Sequence, residues 1–180
     1  IGAQELSQEI ASVCTDTTFA ADFPGVGDDT RVLARQLTEE VAMAKESFYV
    51  QSPYFVINKS GHAVLEKLLK DNVRMAILTN SLYSTDAFYT VAAFYPRINK
   101  WIRAGAEVSI YDGTVPHSLN PIFSEIRQAR WGIHSKAAVI DGRTTMIGTF
   151  NMDPRSENLN AEMAIICRDN KIFAQTMIES

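Results

Sequence analysis

The sequence has little of several features that mark particular classes of protein. No apolar run approaches the roughly 20 residues that are needed to span a bilayer, so no transmembrane helix is predicted. Lysine and arginine number 17 against 21 aspartates and glutamates, and the formal net charge of -4 lacks the basic surplus typical of a duplex-DNA binder. Low-complexity tracts and short internal repeats are also missing, which argues against a repeat architecture.

Cysteine is scarce as well, with two residues in a chain of 180. Cys14 and Cys167 are far apart in the sequence, and their neighbours do not give the ligand spacing of a metal site. We expect two unrelated thiols, one in a loop and one buried in a strand. The cysteine count therefore assigns no cellular compartment.

The remaining composition is that of an ordinary folded domain. Hydrophobic residues make up 46% of the chain and charged residues 21%, with nine glycines and six prolines. A chain of this length can bury a substantial core. It starts with Ile1 and ends within a predicted helix, so we expect a piece of a longer polypeptide that is truncated at its C-terminal end.

Hydrophobic spacing predicts helices that alternate with strands. Helices are expected from residue 29, where residues 28–30 offer caps, and at 61–71, 86–104 and 171 onward. Strands are expected around 48–50 and at 75–79, 107–111, 137–140, 145–147 and 162–167. Residues 4–13 fit a short amphipathic helix, and residues 113–130 are irregular.

This order of elements predicts an α/β domain with a central sheet and helices on its faces, over residues 29–180. The segment 1–28 before it has no certain assignment. Asp141-Gly142 lies between two predicted strands and is a strong signal for a tight hairpin turn.

One segment combines side chains that suit phosphodiester chemistry. It follows the pattern H-x-K-x4-D-x6-G-T-x-N, which is formed by His134, Lys136, Asp141, Gly148, Thr149 and Asn151. Residues two apart in a strand share a face, so a hairpin could gather a histidine, a lysine, a hydroxyl and an amide. Phosphate oxygens need such donors as charge develops, and an imidazole can attack phosphorus or carry a proton. Asp141 has the opposite parity, which favours a structural role.

This pattern resembles the HKD motif of the phospholipase D superfamily, most of all the C-terminal catalytic half of bacterial cardiolipin synthase-like proteins. The resemblance covers about residues 47–168. It implies a mixed β-sheet flanked by helices and cleavage or exchange of phosphodiesters without a metal or other cofactor. It also implies a covalent phosphohistidine intermediate. The catalytic residues that it implies are His134, Lys136, Asn151 and Glu162, with Glu162 orienting the histidine through its second ring nitrogen. Gly148 is a structural member of the motif.

Further substrate-binding candidates come from the same resemblance. Thr149 lies within the motif, and Ser52 and Tyr54 belong to the segment QSPYF. Asn80 follows the strand at 75–79, and Arg155 belongs to the segment NMDPRS. Each has a plainer alternative: Ser52 and Tyr54 suit a turn and a core aromatic, Asn80 a loop, and Arg155 a solvated surface.

The superfamily normally uses two such motifs, whereas this sequence has one. His62 fits a helix-capping or surface role, and His117 precedes the motif in the irregular segment; neither is followed by a lysine two residues later. The partner is therefore expected to be a second motif-bearing half in the same longer chain, or a second copy of this chain. His134 is nucleophile or general acid/base, and one motif does not decide which.

Three functions follow as hypotheses. The first is hydrolysis or transfer of a phosphatidyl group, with Leu119, Ile122, Phe123 and Trp131 admitting acyl chains, touching a membrane surface or packing in the core. The second is a homodimeric nuclease or phosphodiesterase, which the acidic net charge disfavours. The third is a non-catalytic structural half, against which the intact motif argues. A bacterial membrane-associated location is expected from the resemblance alone.

Overall fold

A computed structural model describes residues 14–23, 31–114 and 129–179 of the chain. Twelve helices and strands are found within these residues. The strands are β1 (Asp16–Ala21), β2 (Ser47–Gln51), β3 (Arg74–Asn80), β4 (Glu107–Tyr111), β5 (Ala137–Ile140), β6 (Thr144–Gly148) and β7 (Met163–Arg168). The helices are α1 (Leu33–Ala42), α2 (Lys59–Lys70), α3 (Phe88–Arg103), α4 (Pro154–Asn158) and α5 (Lys171–Glu179).

The strands form one mixed sheet in the order β1-β7-β6-β5-β2-β3-β4. Strands β2, β3 and β4 are parallel to one another because α2 and α3 cross over between them. The remaining neighbours are antiparallel. The predicted α/β fold with a central mixed sheet flanked by helices is confirmed.

The core lies between the sheet and α1, α2 and α3. Phe48 and Met75 point from the sheet, and Leu33, Leu68 and Trp101 from the helices; all are at most 2% exposed. On β2 buried and partly buried residues alternate, as expected for a strand with one face in the core. Helix α5 packs against β5 and β6.

The turn between β5 and β6 follows the sequence signal. Asp141 and Gly142 both have left-handed backbone angles, with φ of 52° and 59°. Glycine adopts this conformation without a steric cost, and aspartate tolerates it better than most residues. The predicted tight hairpin turn is confirmed.

Two boundaries differ from the sequence prediction at the start of the domain. Strand β1 lies within the segment that has no sequence assignment, and it pairs along its whole length with β7. Helix α1 begins at Leu33 rather than near residue 29, and its first N–H donates to the distant Asp22 carboxylate at 2.9 Å. The predicted caps at 28–30 and the helix predicted at 4–13 lie outside the described residues.

The expectation of two unrelated thiols is wrong. Cys14 and Cys167 form a disulfide, with their Cα atoms 6.0 Å apart. The antiparallel pairing of β1 with β7 brings them together, since Thr17 is the register partner of Cys167. Sequence spacing could not show this, because 153 positions separate the two cysteines. A disulfide of this kind persists in oxidising surroundings.

None of the helices within the described residues combines the length and the apolar character that crossing a membrane requires.

Reducing the Cys14–Cys167 disulfide is expected to lower the free energy of unfolding by about 2–4 kcal/mol, because the bond constrains a long loop in the unfolded chain. Denaturant unfolding with and without a thiol reductant measures this. The Cys14→Ser variant should show the same loss and no response to reductant. Equal midpoints for the oxidised and reduced wild-type protein would contradict the assignment.

Candidate active site

The motif begins on an extended segment just before β5. His134 is exposed, and its ring Nε2 lies 3.1 Å from the Lys136 Nζ atom. The same ammonium donates to the His134 carbonyl oxygen at 2.6 Å. Both residues precede β5, which starts at Ala137 as predicted, so the alternation of side chains along a strand does not apply to them. This direct contact therefore brings the two side chains together.

Asn80 holds this segment in place from the end of β3. Its side-chain oxygen accepts from the Ile133 N–H at 2.8 Å, and its amide donates to the Ile133 carbonyl at 3.0 Å. The residue is 4% exposed. Asn80 is predicted as a substrate-binding residue, but both ends of its amide are occupied by the backbone. The structure makes it a support for the residue that precedes His134.

Ser52 has a similar supporting position after β2. It is 1% exposed, and its hydroxyl donates to the Tyr54 carbonyl at 2.7 Å and accepts from the Met152 N–H at 3.2 Å. The Ser52 hydroxyl thus contacts the backbone next to Asn151, and its role in substrate binding stays a prediction. The cause is burial: a polar group in the interior is bonded to the protein itself.

Glu162 lies at the centre of a buried polar network before β7. The residue is 6% exposed. One carboxylate oxygen accepts from Ser156 Oγ at 2.8 Å and from Asn160 Nδ2 at 3.0 Å, and the other accepts from Thr149 Oγ1. The Ser156 hydroxyl also accepts from the Asn151 N–H at 3.1 Å, which links the network to the motif.

The sequence predicts that Glu162 orients the His134 ring, and the structure arranges these groups differently. Among the described residues, the hydrogen bonds of the Glu162 carboxylate come from Thr149, Ser156 and Asn160, and the His134 ring contacts Lys136. The negative charge of Glu162 acts on the Lys136 ammonium. The Glu162 network and the His134–Lys136 pair therefore interact electrostatically.

Thr149 is predicted to bind substrate, and its hydroxyl both donates and accepts a hydrogen bond within the protein. It donates to Glu162 and accepts from the Met163 N–H at 3.0 Å. Gly148 makes this possible, since a Cβ there would lie 2.2 Å from the Met163 carbonyl oxygen. The close approach of β6 and β7 requires glycine and brings Thr149 within reach of the carboxylate.

Asp141 lies at the opposite end of the β5–β6 hairpin. Its carboxylate accepts from three consecutive backbone N–H groups, those of Lys45, Glu46 and Ser47, at 2.8 to 3.1 Å. These bonds tie the hairpin to the residues that start β2. They account for an aspartate in the motif that does not face the reacting group.

A cavity of about 450 Å³ adjoins Asn151, and Tyr54 and Arg155 also line it. The Tyr54 hydroxyl donates to the Asp86 carboxylate at 2.5 Å. Burial, reinforced by the Asp86 charge, raises the pKa of Tyr54 well above its ordinary value, so the hydroxyl keeps its proton at neutral pH. Tyr54, Asn151 and Arg155 therefore line one cavity.

Lys136 is the cation of the site. Burial lowers the pKa of Lys136 below its ordinary value, while the negative charges of Glu162, Asp153 and Asp86 act in the opposite direction. In such surroundings the negative charge of nearby carboxylates favours the protonated, cationic form of the lysine. One exposed imidazole and one ammonium thus lie in contact, and the ammonium is within electrostatic range of the buried Glu162 carboxylate.

His62 lies away from this site. It belongs to α2 and packs against Trp101, with ring centroids 5.1 Å apart, and it contacts Arg97. Burial and the Arg97 charge lower its pKa. The cap of α2 is Asn58, whose side chain accepts from the Gly61 N–H at 2.7 Å. The capping role that the sequence suggests for His62 is therefore filled by another residue.

Several predicted contributors lie outside the described residues, namely His117, Leu119, Ile122 and Phe123. Trp131 is described, and its N–H donates to the Gly113 carbonyl at 3.3 Å. Residues 14–23, 31–114 and 129–179 contain no group of three or more His, Cys, Asp or Glu side chains that could hold a metal ion.

Sequence reasoning missed three contributors to the site. Ser156 and Asn160 bond to Glu162, and Asp86 bonds to Tyr54. Ser156 follows the motif at a fixed distance in the segment NMDPRS, which is a usable signal. Asp86 has no such signal, because its partner is 32 residues away and only the sheet brings them together.

Comparison with known proteins identifies relatives for most of the chain. Residues 37–179 match the family model described as "Cardiolipin synthase, PLD-like domain". Cardiolipin synthase C of Escherichia coli is 32% identical over 155 residues, which is 83% of this chain and 33% of that protein. The chain thus spans about a third of the length of the curated relatives that it matches.

Solved structures share the fold at low sequence identity. Nuc from Salmonella typhimurium, a phospholipase D family member, matches with a TM-score of 0.61 and 18% identity over 91% of both chains. The phosphatidylserine synthase of Haemophilus influenzae matches with a TM-score of 0.65 and 17% identity, over 92% of this chain and 38% of its own.

The Gly148→Ala variant is expected to lose about 1–3 kcal/mol of unfolding free energy, because the added methyl group collides with the backbone of β7. Thermal or denaturant unfolding measures the loss. Gly61→Ala is the matched control, since its methyl group would meet side-chain atoms of Ile57 and Asn58 at 3.3 Å or more. Equal stability of Gly148→Ala and wild type would contradict the close approach.

Replacing Glu162 with Gln is expected to lower the pKa of Lys136 further, because a negative charge that favours the protonated amine is removed. A pH titration of the lysine Cε resonances by NMR measures the change. Asp71→Asn is the control, since Asp71 pairs with Lys67 at the end of α2. An unchanged or raised Lys136 pKa in Glu162→Gln would show that the two groups do not interact.

Proposed function

This chain belongs to the phospholipase D superfamily, and we propose that it is a domain that cleaves phosphodiesters or transfers phosphatidyl groups, acting on phospholipids. The reaction depends on histidine, needs no metal and passes through a covalent phosphohistidine. The family match over residues 37–179 and the identity with a cardiolipin synthase support the lipid substrate. The net charge of -4 also favours a lipid over nucleic acid, since nucleic-acid binding draws its affinity from phosphate contacts with Lys and Arg.

The observation that carries the proposal is the contact between His134 and Lys136. An exposed imidazole 3.1 Å from an ammonium can meet a phosphodiester from solvent, with the cation beside the phosphate oxygens. The imidazole and the ammonium suit a charged transition state, together with the buried Glu162 carboxylate that acts on the ammonium. Asn151, two residues after Thr149 in the same motif, lines a cavity of about 450 Å³ together with Tyr54 and Arg155.

The chemistry that we propose takes two displacements. In the first, a histidine nitrogen attacks phosphorus, the bond to the leaving alcohol breaks, and a second histidine gives that oxygen its proton. In the second, the second histidine removes a proton from water or an acceptor alcohol, whose oxygen attacks phosphorus and releases the first histidine. Water gives hydrolysis, and an alcohol gives phosphatidyl transfer. His134 fills one of these two roles.

The second histidine has to come from another motif-bearing half. This half belongs to the same longer polypeptide or to a second copy of the chain, and the one-third coverage of the curated relatives favours the first. The Oδ1 atom of Asn151 is buried and has no hydrogen-bond partner among the described residues. A buried polar atom normally has one, so substrate or the second half is expected to supply it.

Metal-independent turnover of phosphatidylglycerol vesicles and of a chromogenic phosphodiester, with EDTA present, is expected of the active unit, which is either a dimer of this chain or the longer polypeptide with both motif-bearing halves. His134→Ala should reduce it by roughly 10³-fold or more, because the attacking or proton-carrying group is lost. His62→Ala is the control, since His62 packs against Trp101 away from the site. Molecular mass measured in the same samples shows whether one copy or two form the active unit.

The other outcomes discriminate between the alternatives. Faster turnover of DNA than of vesicles, falling with added salt, would favour a nuclease over a lipid enzyme. Equal turnover in wild type and His134→Ala would overturn the histidine mechanism. A monomer without turnover that stays inactive after a second motif-bearing half is added would indicate a non-catalytic structural half.

A further inference from the structure

Asp22 lies outside the motif, at the residue that follows β1, and yet it contacts the centre of the site. The side chain is 9% exposed. One carboxylate oxygen, Oδ2, accepts from the Glu162 N–H at 3.1 Å. The Asp22 N–H in turn donates to the Glu162 carbonyl at 2.8 Å. Both backbone polar groups of Glu162 are thus bonded to a single residue 140 positions away.

The same carboxylate also fixes the start of a helix. Oδ1 accepts from the Leu33 N–H at 2.9 Å, and this is the first residue of α1. Val32, which precedes α1, makes no side-chain cap. Asp22 therefore joins three parts of the fold: the end of β1, the first turn of α1 and the residue that leads into β7.

The position of Glu162 determines the hydrogen bonds that its side chain makes. Its two oxygens accept hydrogen bonds from the side chains of Thr149, Ser156 and Asn160. These three residues lie after β6, in α4 and in the loop before β7. Hydrogen bonds weaken steeply when distance and angle change. A small displacement of the Glu162 backbone would therefore break the network and move the charge that acts on Lys136.

We propose that Asp22 is a positioning residue that fixes the Glu162 carboxylate within the candidate site. The inference rests on the proposed function, since the role of Glu162 in the reaction belongs to that proposal. Strand β1 then supports the site as well as the sheet. The Cys14–Cys167 disulfide anchors β1 to β7 and keeps Asp22 within hydrogen-bond distance of Glu162.

A purely structural role is the competing explanation, because Asp22 also accepts from the start of α1. The two explanations differ in a double-mutant cycle. A residue that acts through Glu162 has little further effect once Glu162 is altered. A residue that only stabilises α1 changes stability in both backgrounds and leaves the chemistry of the site unchanged.

The test compares Asp22→Asn, Glu162→Gln and the double variant with wild type, each in the active unit that contains both motif-bearing halves. Asp16→Asn is the matched control, since Asp16 lies on β1, the strand that Asp22 follows, is exposed and approaches Arg168 at 3.7 Å. Asp22→Asn should lower kcat roughly tenfold with little change in KM, by analogy with residues that orient groups in direct contact with a reaction centre. The double variant should be no slower than Glu162→Gln.

A second readout needs no turnover. The pKa of Lys136, followed by NMR, should fall in Asp22→Asn in the direction expected for Glu162→Gln, and should not fall further in the double variant. Asp22→Glu keeps the charge but moves the oxygens by one methylene, and it is the second variant if Asp22→Asn does not fold. It should show the same effect, because position matters rather than charge.

Two results would overturn the inference. In the first, Asp22→Asn behaves like Asp16→Asn, or its effects add to those of Glu162→Gln; the proposed function then stands without a role for Asp22. In the second, Glu162→Gln itself leaves both turnover and the Lys136 pKa unchanged, and the role of Glu162 falls together with that of Asp22.

Discussion

The burial of the Glu162 carboxylate is the constraint on which the rest of the site depends. A charge removed from water is costly unless hydrogen bonds compensate it. Three side-chain donors surround this one, from Thr149, Ser156 and Asn160. Each has to arrive from a different part of the chain, so the ends of β6, α4 and the segment before β7 are fixed relative to one another.

This constraint explains local features that look unrelated in the sequence. Gly148 lets β6 approach β7 closely enough for Thr149 to reach the carboxylate. Asp153 caps the short helix α4 by accepting from the Arg155 and Ser156 N–H groups, which aims the Ser156 hydroxyl at Glu162. His134 is exposed and contacts the partly buried Lys136, on which the Glu162 charge acts. The Glu162 side of the site is thus held by buried hydrogen bonds, whereas the His134 imidazole is open to solvent.

The regular parts of the fold could be predicted because their signals are local. The β3 and β4 strands and the helices α2, α3 and α5 follow the period of the apolar residues, and the hairpin turn follows from Asp141-Gly142. The start of the domain could not be predicted in this way. Strand β1 is an edge strand whose partner β7 lies about 140 residues later. The cap of helix α1 comes from Asp22 and not from a residue next to α1 in the sequence.

For the candidate site, the sequence by itself determined which residue types stand at which spacing: the motif from His134 to Asn151 and the acidic Glu162 follow from the order of the chain. The tertiary structure alone decided what each polar group contacts. Ser52, Asn80 and Thr149 have polar side chains that could contact a substrate, but these side chains form hydrogen bonds within the protein. Cys14 meets Cys167, and Asp22 meets Glu162, through pairing of strands distant in sequence. The physical reason is that a residue's type fixes which bonds it can form, whereas burial and the register of distant strands fix which of them it does form.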